Sequence, residues 1–148
     1  MRLWRISSFP GLSGEGGMHV DGRWHSKGRR VIYASEHPAL AMVEVMAHLR
    51  LGVTSIPTTL QLIPIDVAHG ASIDPAPALP SGWQANELTT QAVGDAWLQA
   101  GTALLAPLPS ALLAESTNYL INPTHSQAAT HLSEGAITPF WFDKRLLR

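Results

Sequence analysis

A short run of strand-forming residues followed closely by a proline is the feature that most constrains this chain. Residues 31–35 read Val-Ile-Tyr-Ala-Ser, a composition rich in β-formers, and Pro38 stands where a helix can begin. The pattern predicts a strand over 31–35 and a helix from Pro38 to about Arg50, with Gly52 as a stop just beyond it. Any fold of this chain must therefore turn from a strand into a helix within a few residues.

The predicted helix carries a carboxylate on its apolar side. Apolar residues recur at helical spacing and form one buried stripe, made of Leu40, Val43, Ala47 and Leu51. Glu44 follows Leu40 by one helical turn and lies on the same stripe. Burial of an ionised carboxylate is costly unless the group is paired. Two interpretations stay open, because Glu44 either forms a structural ion pair with an Arg or lines a functional cavity.

Three further residues are candidates for a site, each with a structural alternative. Arg23 follows Gly22, and its planar guanidinium suits a pyrophosphate or a carboxylate, although surface Arg residues are common. Tyr33 shares one partly polar strand face with Ser35, although a core Tyr bonded to the backbone is the more frequent case. Ser110 has neither an elbow motif nor a paired His and Asp, so any role must come from hydrogen bonding.

The rest of the chain predicts short strands and two more helices in irregular order. Strands are expected at residues 3–6, 60–67, 103–106, 112–114, 119–121 and 137–142. A helix is expected at 89–100, with Thr89 as its N-cap and Gly101 as its stop, and a shorter one at 125–133. This mixture predicts an α+β fold, a single compact domain over residues 1–148 with a mixed β-sheet core and flanking helices.

Two segments without regular structure stand out. Residues 11–22 form a glycine-rich loop, which is expected to be mobile unless a ligand holds it. Residues 74–80 are rich in Pro and Ala and are expected to form an irregular surface segment, too short to separate two domains.

Composition excludes several classes of function. The net charge is -1 and Lys and Arg are scattered among acids, so no basic face for nucleic acid is expected. The absence of Cys excludes disulfides and thiol chemistry, and the seven His residues show no ligand spacing, so no metal is expected. Neither a signal peptide nor a membrane helix is apparent, which favours a cytoplasmic protein. The charged fraction of only 14% predicts that a partner covers part of the surface.

Seven stretches gain meaning when they are considered together. They are residues 21–28, 31–36, 39–45, 94–98, 108–111, 118–125 and 140–145. In this order they closely resemble the RES family of bacterial toxins, and the resemblance spans nearly the whole chain. The family takes its name from an Arg, a Glu and a Ser, which match Arg23, Glu44 and Ser110, and Tyr33 matches a further active-site Tyr. His25 departs from the pattern, where Asn is more usual, and no Arg precedes the Pro-Ser pair ending at Ser110.

The resemblance implies the toxin of a type II toxin-antitoxin system, with a fold related to ADP-ribosyltransferases, that depletes NAD⁺ by cleaving the nicotinamide-ribose bond. The implied site residues are Glu44, Arg23 and Tyr33 for catalysis, and Arg23, Tyr33, Ser35, Ser110 and Asn118 for substrate binding. The implied partner is a cognate antitoxin with a helix-turn-helix DNA-binding domain, so that contact with DNA is indirect.

Several alternatives stay open at the level of sequence. The acceptor of the ADP-ribosyl group is water, inorganic phosphate or a protein side chain. A protein acceptor would make the chain a mono-ADP-ribosyltransferase, and a non-enzymatic NAD-binding or protein-binding module is a further alternative. Sequence also leaves open whether the protein forms a homo-oligomer.

Overall fold

The computed structural model describes residues 1–49 and 56–147. Its strands are β1 (Arg2–Ser7), β2 (Ile32–Ser35), β3 (Gln61–Val67), β4 (Leu105–Pro109), β5 (Thr117–Ile121), β6 (Leu132–Glu134) and β7 (Thr138–Pro139). Its helices are α1 (Gly16–His19), α2 (Pro38–Leu49), α3 (Glu87–Ala100) and α4 (Ala128–His131), with 3-10 turns at Trp83–Ala85 and Lys144–Leu146. The predicted α+β class is confirmed. None of the described helices is long and apolar enough to cross a membrane.

The strands form one sheet in the order β4-β5-β2-β1-β3-β6, and β7 also pairs with β3. All of these strand pairs are antiparallel, and a separate parallel bridge joins Ile73 to Leu105. The longest register runs between β1 and β3, from Arg2 opposite Asp66 to Ser7 opposite Gln61. The sheet is therefore built from strands that are far apart in sequence.

Each face of the sheet buries its own apolar cluster. Ile32 and Ala34 of β2 belong to the larger cluster, together with the fully buried Leu3 and Ile63. Successive strand residues point to opposite faces, so Tyr33 packs in the second cluster, which also contains Trp24, Trp83 and Leu120. Side chains of α3 cover this second face, and the same face carries the candidate site.

Prolines stand where the sheet needs no donor. The backbone N–H and C=O of Leu105 in β4 point away from the neighbouring strand β5. The N–H donates to Ser72 O, and the C=O accepts from Asp74 N. Alternate residues bond on the same side, so Pro107 and Pro109 also face outward, where they leave few donors for a further strand. Strand β4 thus ends the sheet at the edge nearest the candidate site.

Several predicted elements differ from the observed ones. The strand expected at 103–106 begins later, at Leu105, the final strand shrinks to Thr138–Pro139, and the last helix shrinks to Ala128–His131. The strand predicted at 112–114 is wrong. Its backbone is drawn into a turn, because Ser110 Oγ accepts from the N–H groups of Leu112 and Leu113 at 3.1 and 3.2 Å.

Helix α3 also begins earlier than predicted. Asn86, not Thr89, is the N-cap, and its side-chain oxygen accepts from Thr89 N at 3.1 Å. The predicted stop at Gly101 is confirmed, because this residue has a φ of 61° at the C-cap. The pattern therefore located the end of the helix better than its start.

The glycine-rich loop makes hydrogen bonds to the rest of the protein. At its start, Gly11 N donates to both carboxylate oxygens of Glu134, and Arg5 donates to Gly11 O at 3.2 Å. Further along, Gly14 O accepts from Val31 N at 3.3 Å. Burial of the Arg5 guanidinium lowers its pKa, and the Glu134 carboxylate opposes this effect.

Helix α2 is less deeply buried than its apolar stripe predicted. Leu40 is buried, whereas Ala47 is exposed and Val43 and Glu44 are half-buried. Leu51, together with the predicted end at Arg50 and Gly52, lies outside the described residues. The exposure has a simple cause, because this side of α2 forms a wall of an open cleft.

Candidate active site

An open cleft of about 250 Å³ lies where α2, β2, β5 and the start of α3 meet. Its lining residues are Asp21, Gly22, Arg23, Trp24, Tyr33, Glu44, Ala47, His48, Glu87, Leu108, Ala111, Leu112 and Asn118. Four of the six residues singled out from sequence therefore share one cavity. The other two, Ser35 and Ser110, are buried behind its wall and bond to lining residues.

Glu44 is held in the cleft by two neutral donors. Its Oε1 accepts from Ser110 Oγ at 2.5 Å and from Asn118 Nδ2 at 2.7 Å. The salt bridges among residues 1–49 and 56–147 all involve other carboxylates. Within that part of the chain, the structural ion-pair interpretation of Glu44 is therefore not supported, and Oε2 has no hydrogen-bond donor. One oxygen of the carboxylate is fixed and the other is available to a ligand.

Ser110 has no hydrogen-bonding capacity to spare. Its Oγ accepts from the N–H groups of Leu112 and Leu113, which occupies both lone pairs, and its single proton is donated to Glu44. The side chain is completely buried. Ser110 therefore joins the turn after β4 to the carboxylate of α2, across 66 positions of sequence.

The backbone around Arg23 is held against α3. Thr90 Oγ1 donates to Arg23 O at 2.5 Å, and Gln91 Nε2 donates to Gly22 O at 2.9 Å. The guanidinium is partly exposed at the cleft and donates from Nη1 to Gln84 O at 3.1 Å. Among the residues that the structure describes this is the one hydrogen bond of the guanidinium, and its other donors can meet an anionic ligand.

The following residues lock the same loop onto α3. A Cβ on Gly94 would overlap the carbonyl of Trp24, so only Gly permits this close approach. Asp95, in the same helix, accepts from Ser26 N at 2.9 Å and Ser26 Oγ at 2.6 Å, and pairs with Arg29 at 3.1 Å. Helix α3 thus positions Arg23 without itself carrying a residue predicted from sequence to be in the site.

Tyr33 and His25 form a hydrogen-bonded pair that contacts the Arg23 loop through the backbone of Trp24. His25 Nε2 faces the carbonyl oxygens of Val20 and Gly17 at 2.9 and 3.3 Å, so this nitrogen carries the proton. His25 Nδ1 therefore accepts from the hydroxyl of Tyr33 at 2.7 Å, and the hydroxyl accepts in turn from Trp24 N at 3.0 Å. The hydroxyl of Tyr33 is therefore used within the protein, and Tyr33 is also one of the residues that line the cleft.

Two further features concern the pair of Tyr33 and His25. Burial raises the pKa of the Tyr33 phenol well above its usual range, and nearby carboxylates of Asp95 and Glu87 act in the same direction. A Cβ on Gly22 would overlap the Tyr33 hydroxyl and crowd the His25 ring, so Gly is required beside Arg23. His25, which departs from the family pattern, is itself buried.

The described lining residues carry more negative than positive charge. Asp21, Glu44 and Glu87 are carboxylates, Arg23 is a guanidinium, and His48 adds an imidazole. The electrostatic potential of these groups favours a ligand with a positive centre near Glu44 and an anionic group near Arg23. Within residues 1–49 and 56–147, no group of three or more His, Asp or Glu side chains is arranged to hold a metal ion.

Sequence reasoning missed the residues that support the site from α3. Thr90, Gln91 and Asp95 contact the Arg23 loop, yet none has a local pattern that indicates a role. The Gly94-Asp95 pair appeared only within the family resemblance. Asp21 likewise appeared only within that resemblance, and Glu87 at the cleft carried no sequence signal.

The antiparallel sheet with flanking helices, and a cleft in which a glutamate lies between neutral donors, define an α+β protein with a candidate active site. The family model described as the RES domain matches residues 2–143. The chain therefore belongs to the RES family.

Individual relatives agree with this assignment. The chain is 46% identical over 128 residues to Toxin Res of Pseudomonas putida, covering 86% of this chain and 88% of the relative. It is 31% identical to the Prs ADP-ribosylating toxin of Sphingobium sp., covering 99% of this chain and 96% of the relative. The solved M. tuberculosis MbcT-MbcA toxin-antitoxin complex matches with a TM-score of 0.73 and 20% identity, over 94% of this chain and 83% of that chain. At that identity the structural likeness shows the fold.

Proposed function

We propose that this protein is the toxin of a type II toxin-antitoxin system and that it depletes NAD⁺ by cleaving the nicotinamide-ribose bond, as a glycohydrolase or phosphorylase. In this proposal residues 1–148 form one RES domain. The observation that carries the proposal is the carboxylate of Glu44, a residue that lines the cleft, which is held at one oxygen by Ser110 and Asn118 and accepts at the other from no donor among the described residues. The proposal is supported by the relatives named as toxins.

The chemistry of the bond explains why such a carboxylate is suited to it. As the bond between the ribose carbon and the nicotinamide nitrogen lengthens, positive charge develops on the ribose, as it does in glycoside hydrolysis. A fixed negative charge beside that carbon stabilises the transition state more than the ground state. Because Glu44 is already oriented by two donors, little reorganisation is needed when the charge appears.

The leaving group simplifies the demands on the site. The electron pair of the broken bond goes to nicotinamide, which leaves as a neutral molecule without needing a proton. A second carboxylate acting as general acid, as in ordinary glycosidases, is therefore unnecessary. The acceptor oxygen then bonds to the ribose carbon, and when the acceptor is water its proton passes to Glu44 or to solvent.

The remaining residues are assigned to holding NAD⁺. Arg23 lies at the cleft with free donors, and its planar fork suits the pyrophosphate. The ring of Tyr33 offers a surface for nicotinamide or ribose. Asn118 retains a second amide proton for a ribose hydroxyl, while Ser110 serves by holding Glu44. NAD⁺ enters as the substrate, and no metal is required by this chemistry.

A protein acceptor is the second candidate. The relative in Sphingobium sp. is named as an ADP-ribosylating toxin and aligns over 99% of this chain, which favours this candidate specifically. The same bond would break, and a nucleophilic side chain of a target protein would replace water or phosphate. Transfer of label from adenine-labelled NAD⁺ to protein, rather than to small products, distinguishes this activity.

An antitoxin partner follows from the same proposal, because an enzyme that consumes NAD⁺ would poison its own cell. Apolar side chains are exposed near the cleft, with Leu88 79% exposed at the start of α3 and Leu112 48% exposed at the lining. We assign this surface to a cognate antitoxin with a helix-turn-helix domain, through which the complex would reach DNA in the cytoplasm. A homo-oligomer is not needed for the chemistry, since one chain supplies every residue assigned above.

The test is product analysis on the purified chain. Incubation with NAD⁺, with and without inorganic phosphate, should release nicotinamide together with ADP-ribose or with ADP-ribose phosphorylated at the ribose carbon. Label found on added bacterial protein instead would favour the transferase. If nicotinamide is released under none of these conditions, the enzymatic proposal fails and a non-enzymatic NAD-binding or protein-binding module takes its place.

A further inference from the structure

The geometry points to Ser35 as a positioning residue that fixes the side-chain amide of Asn118 and, through it, the carboxylate of Glu44. This inference rests on the function proposed above, because it concerns the same carboxylate. It differs from the substrate contact expected for Ser35 from the sequence. Ser35 is only 4% exposed and is not among the residues that line the cleft.

Ser35 and Asn118 are direct cross-strand neighbours. They stand opposite each other in the register of β2 and β5, where side chains on the same face meet. Ser35 Oγ donates to Asn118 Oδ1 at 2.7 Å, and Asn118 Nδ2 donates to Glu44 Oε1 at 2.7 Å. Three side chains from β2, β5 and α2 therefore form one chain of bonds that ends at the cleft.

The direction of this chain is dictated by the carboxylate. An ionised carboxylate only accepts hydrogen bonds, so the nitrogen of the Asn118 amide must face Glu44. A flipped amide would set Oδ1 against Glu44 Oε1, and two acceptors would repel each other. The proton of Ser35 on the opposite side favours the correct orientation, because it satisfies Oδ1. Without that hydroxyl, Oδ1 would be a poorly satisfied acceptor and the amide would be free to turn.

The functional consequence is a defined plane for Glu44. Ser110 and Asn118 both bond to Oε1, which leaves Oε2 as the oxygen that meets the ribose. Loss of the Asn118 contact would leave Ser110 as a single hinge, and the carboxylate would rotate about it. Such a change weakens an interaction made in the transition state, so kcat should fall while KM for NAD⁺ changes little.

The experiment is a double-mutant cycle of Ser35→Ala and Asn118→Ala, measured as nicotinamide release. Ser35→Ala should lower kcat about tenfold, the worth of one oriented hydrogen bond, with KM nearly unchanged. In the Asn118→Ala background, Ser35→Ala should have almost no further effect. Ser35→Thr keeps the hydroxyl and should restore most of the rate. Equal losses from Ser35→Ala in both backgrounds would overturn the inference.

Ser72 provides a matched control away from the cleft. Its Oγ donates to the side-chain oxygen of Gln127 at 2.7 Å, which repeats the Ser-to-amide bond of Ser35 without a carboxylate beyond it. Ser72→Ala should leave kcat unchanged. A similar loss of kcat in both Ser→Ala variants would mean that the effect is general loosening, and it would overturn the assignment to Ser35.

A second measurement separates this inference from the proposed function. In nuclear magnetic resonance, exchange of the Asn118 side-chain amide protons with water should be faster in Ser35→Ala than in the wild type, and Ser35→Thr should restore slow exchange. Unchanged exchange in Ser35→Ala overturns the positioning role whatever the activity. If the wild type releases no nicotinamide, the proposed function fails, while the exchange data still decide whether Ser35 orients the amide.

Discussion

Two half-buried carboxylates, Glu44 on α2 and Asp95 on α3, are used in opposite ways. Asp95 accepts from the N–H and the hydroxyl of Ser26 and pairs with Arg29, so both of its oxygens and its charge are engaged. Among the described residues, Glu44 accepts from the neutral groups of Ser110 and Asn118 alone, and at one oxygen. The difference lies in what each carboxylate still has to offer a ligand.

The comparison separates a structural carboxylate from a chemical one. Asp95 is paired with Arg29 and accepts hydrogen bonds from the loop that carries Arg23, so it contributes to stability and to the position of that loop. Glu44 keeps its charge uncompensated among the described residues and directs it into a cleft. A buried charge without a partner costs folding free energy, and this cost is expected where the charge is needed for a reaction.

The largest expected effect is on catalysis by Glu44→Gln. This change keeps size and shape but removes the negative charge that faces the developing positive ribose. Loss of one such electrostatic stabiliser typically costs on the order of a hundredfold in rate, about 3 kcal/mol. Nicotinamide release should fall by at least this factor, and the arrest of bacterial growth expected when the wild-type toxin is expressed should disappear. The melting temperature should stay equal or rise.

Glu36→Gln is the control for this change, because Glu36 is exposed and accepts from Thr117 N outside the cleft. It should leave the rate unchanged. A Glu44→Gln protein that is destabilised yet near wild type in turnover per folded molecule would reverse the comparison and make Glu44 the structural carboxylate.

The next effect is the opposite one, a loss of stability in Asp95→Asn. The variant removes the ion pair with Arg29 and one of the oxygens that hold Ser26. We expect the free energy of unfolding to fall by roughly 1–3 kcal/mol, measured by urea titration. Turnover per folded molecule should stay within a few-fold of the wild type. Asp143→Asn, which breaks an exposed pair with Arg145, should be nearly silent.

A smaller effect is expected from Arg23→Lys, which keeps the charge and removes the planar fork. If Arg23 holds the pyrophosphate by two parallel bonds, KM for NAD⁺ should rise roughly tenfold, the worth of one charge-assisted bond. Arg30→Lys serves as the control, because Arg30 is exposed and contacts Ser13 O. A fall in kcat with KM unchanged would move Arg23 from substrate binding to the transition state.

The smallest effect concerns Tyr33 and appears only at high pH. Burial raises the pKa of its phenol, so Tyr33 should stay neutral in the folded protein where an exposed Tyr ionises. The unfolded chain binds fewer protons than the folded one above about pH 10, so the free energy of unfolding should fall as pH rises through that point. Ultraviolet titration of the wild type and of Tyr33→Phe measures the ionisation of Tyr33, and urea denaturation of both at several pH values measures the change in the free energy of unfolding. Ionisation of Tyr33 near its usual pKa in the folded state would show that the hydrogen bond between Tyr33 and His25 opens to solvent.

Much of the local structure was predictable from the sequence. The strand over 31–35 and the helix from Pro38 follow from composition and a proline, and the end of α3 follows from Gly101, because each signal lies within a few residues. The carboxylate of Glu44 was found in the same way, by its place on an apolar helical stripe. Where neighbouring groups compete, as at Asn86 and Ser110, the sequence prediction was wrong, since side-chain hydrogen bonds displaced the expected cap and strand.

By itself, then, the sequence determined the strand-to-helix unit, the presence of an unusual glutamate and the family. Only the tertiary structure decided how that glutamate is held. Ser35 and Asn118 are 83 positions apart, and Ser110 lies 66 positions from Glu44. No local period links residues at such distances. Their contact depends on the register of β2 and β5 and on the packing of α2 beside them, which the whole sheet sets at once.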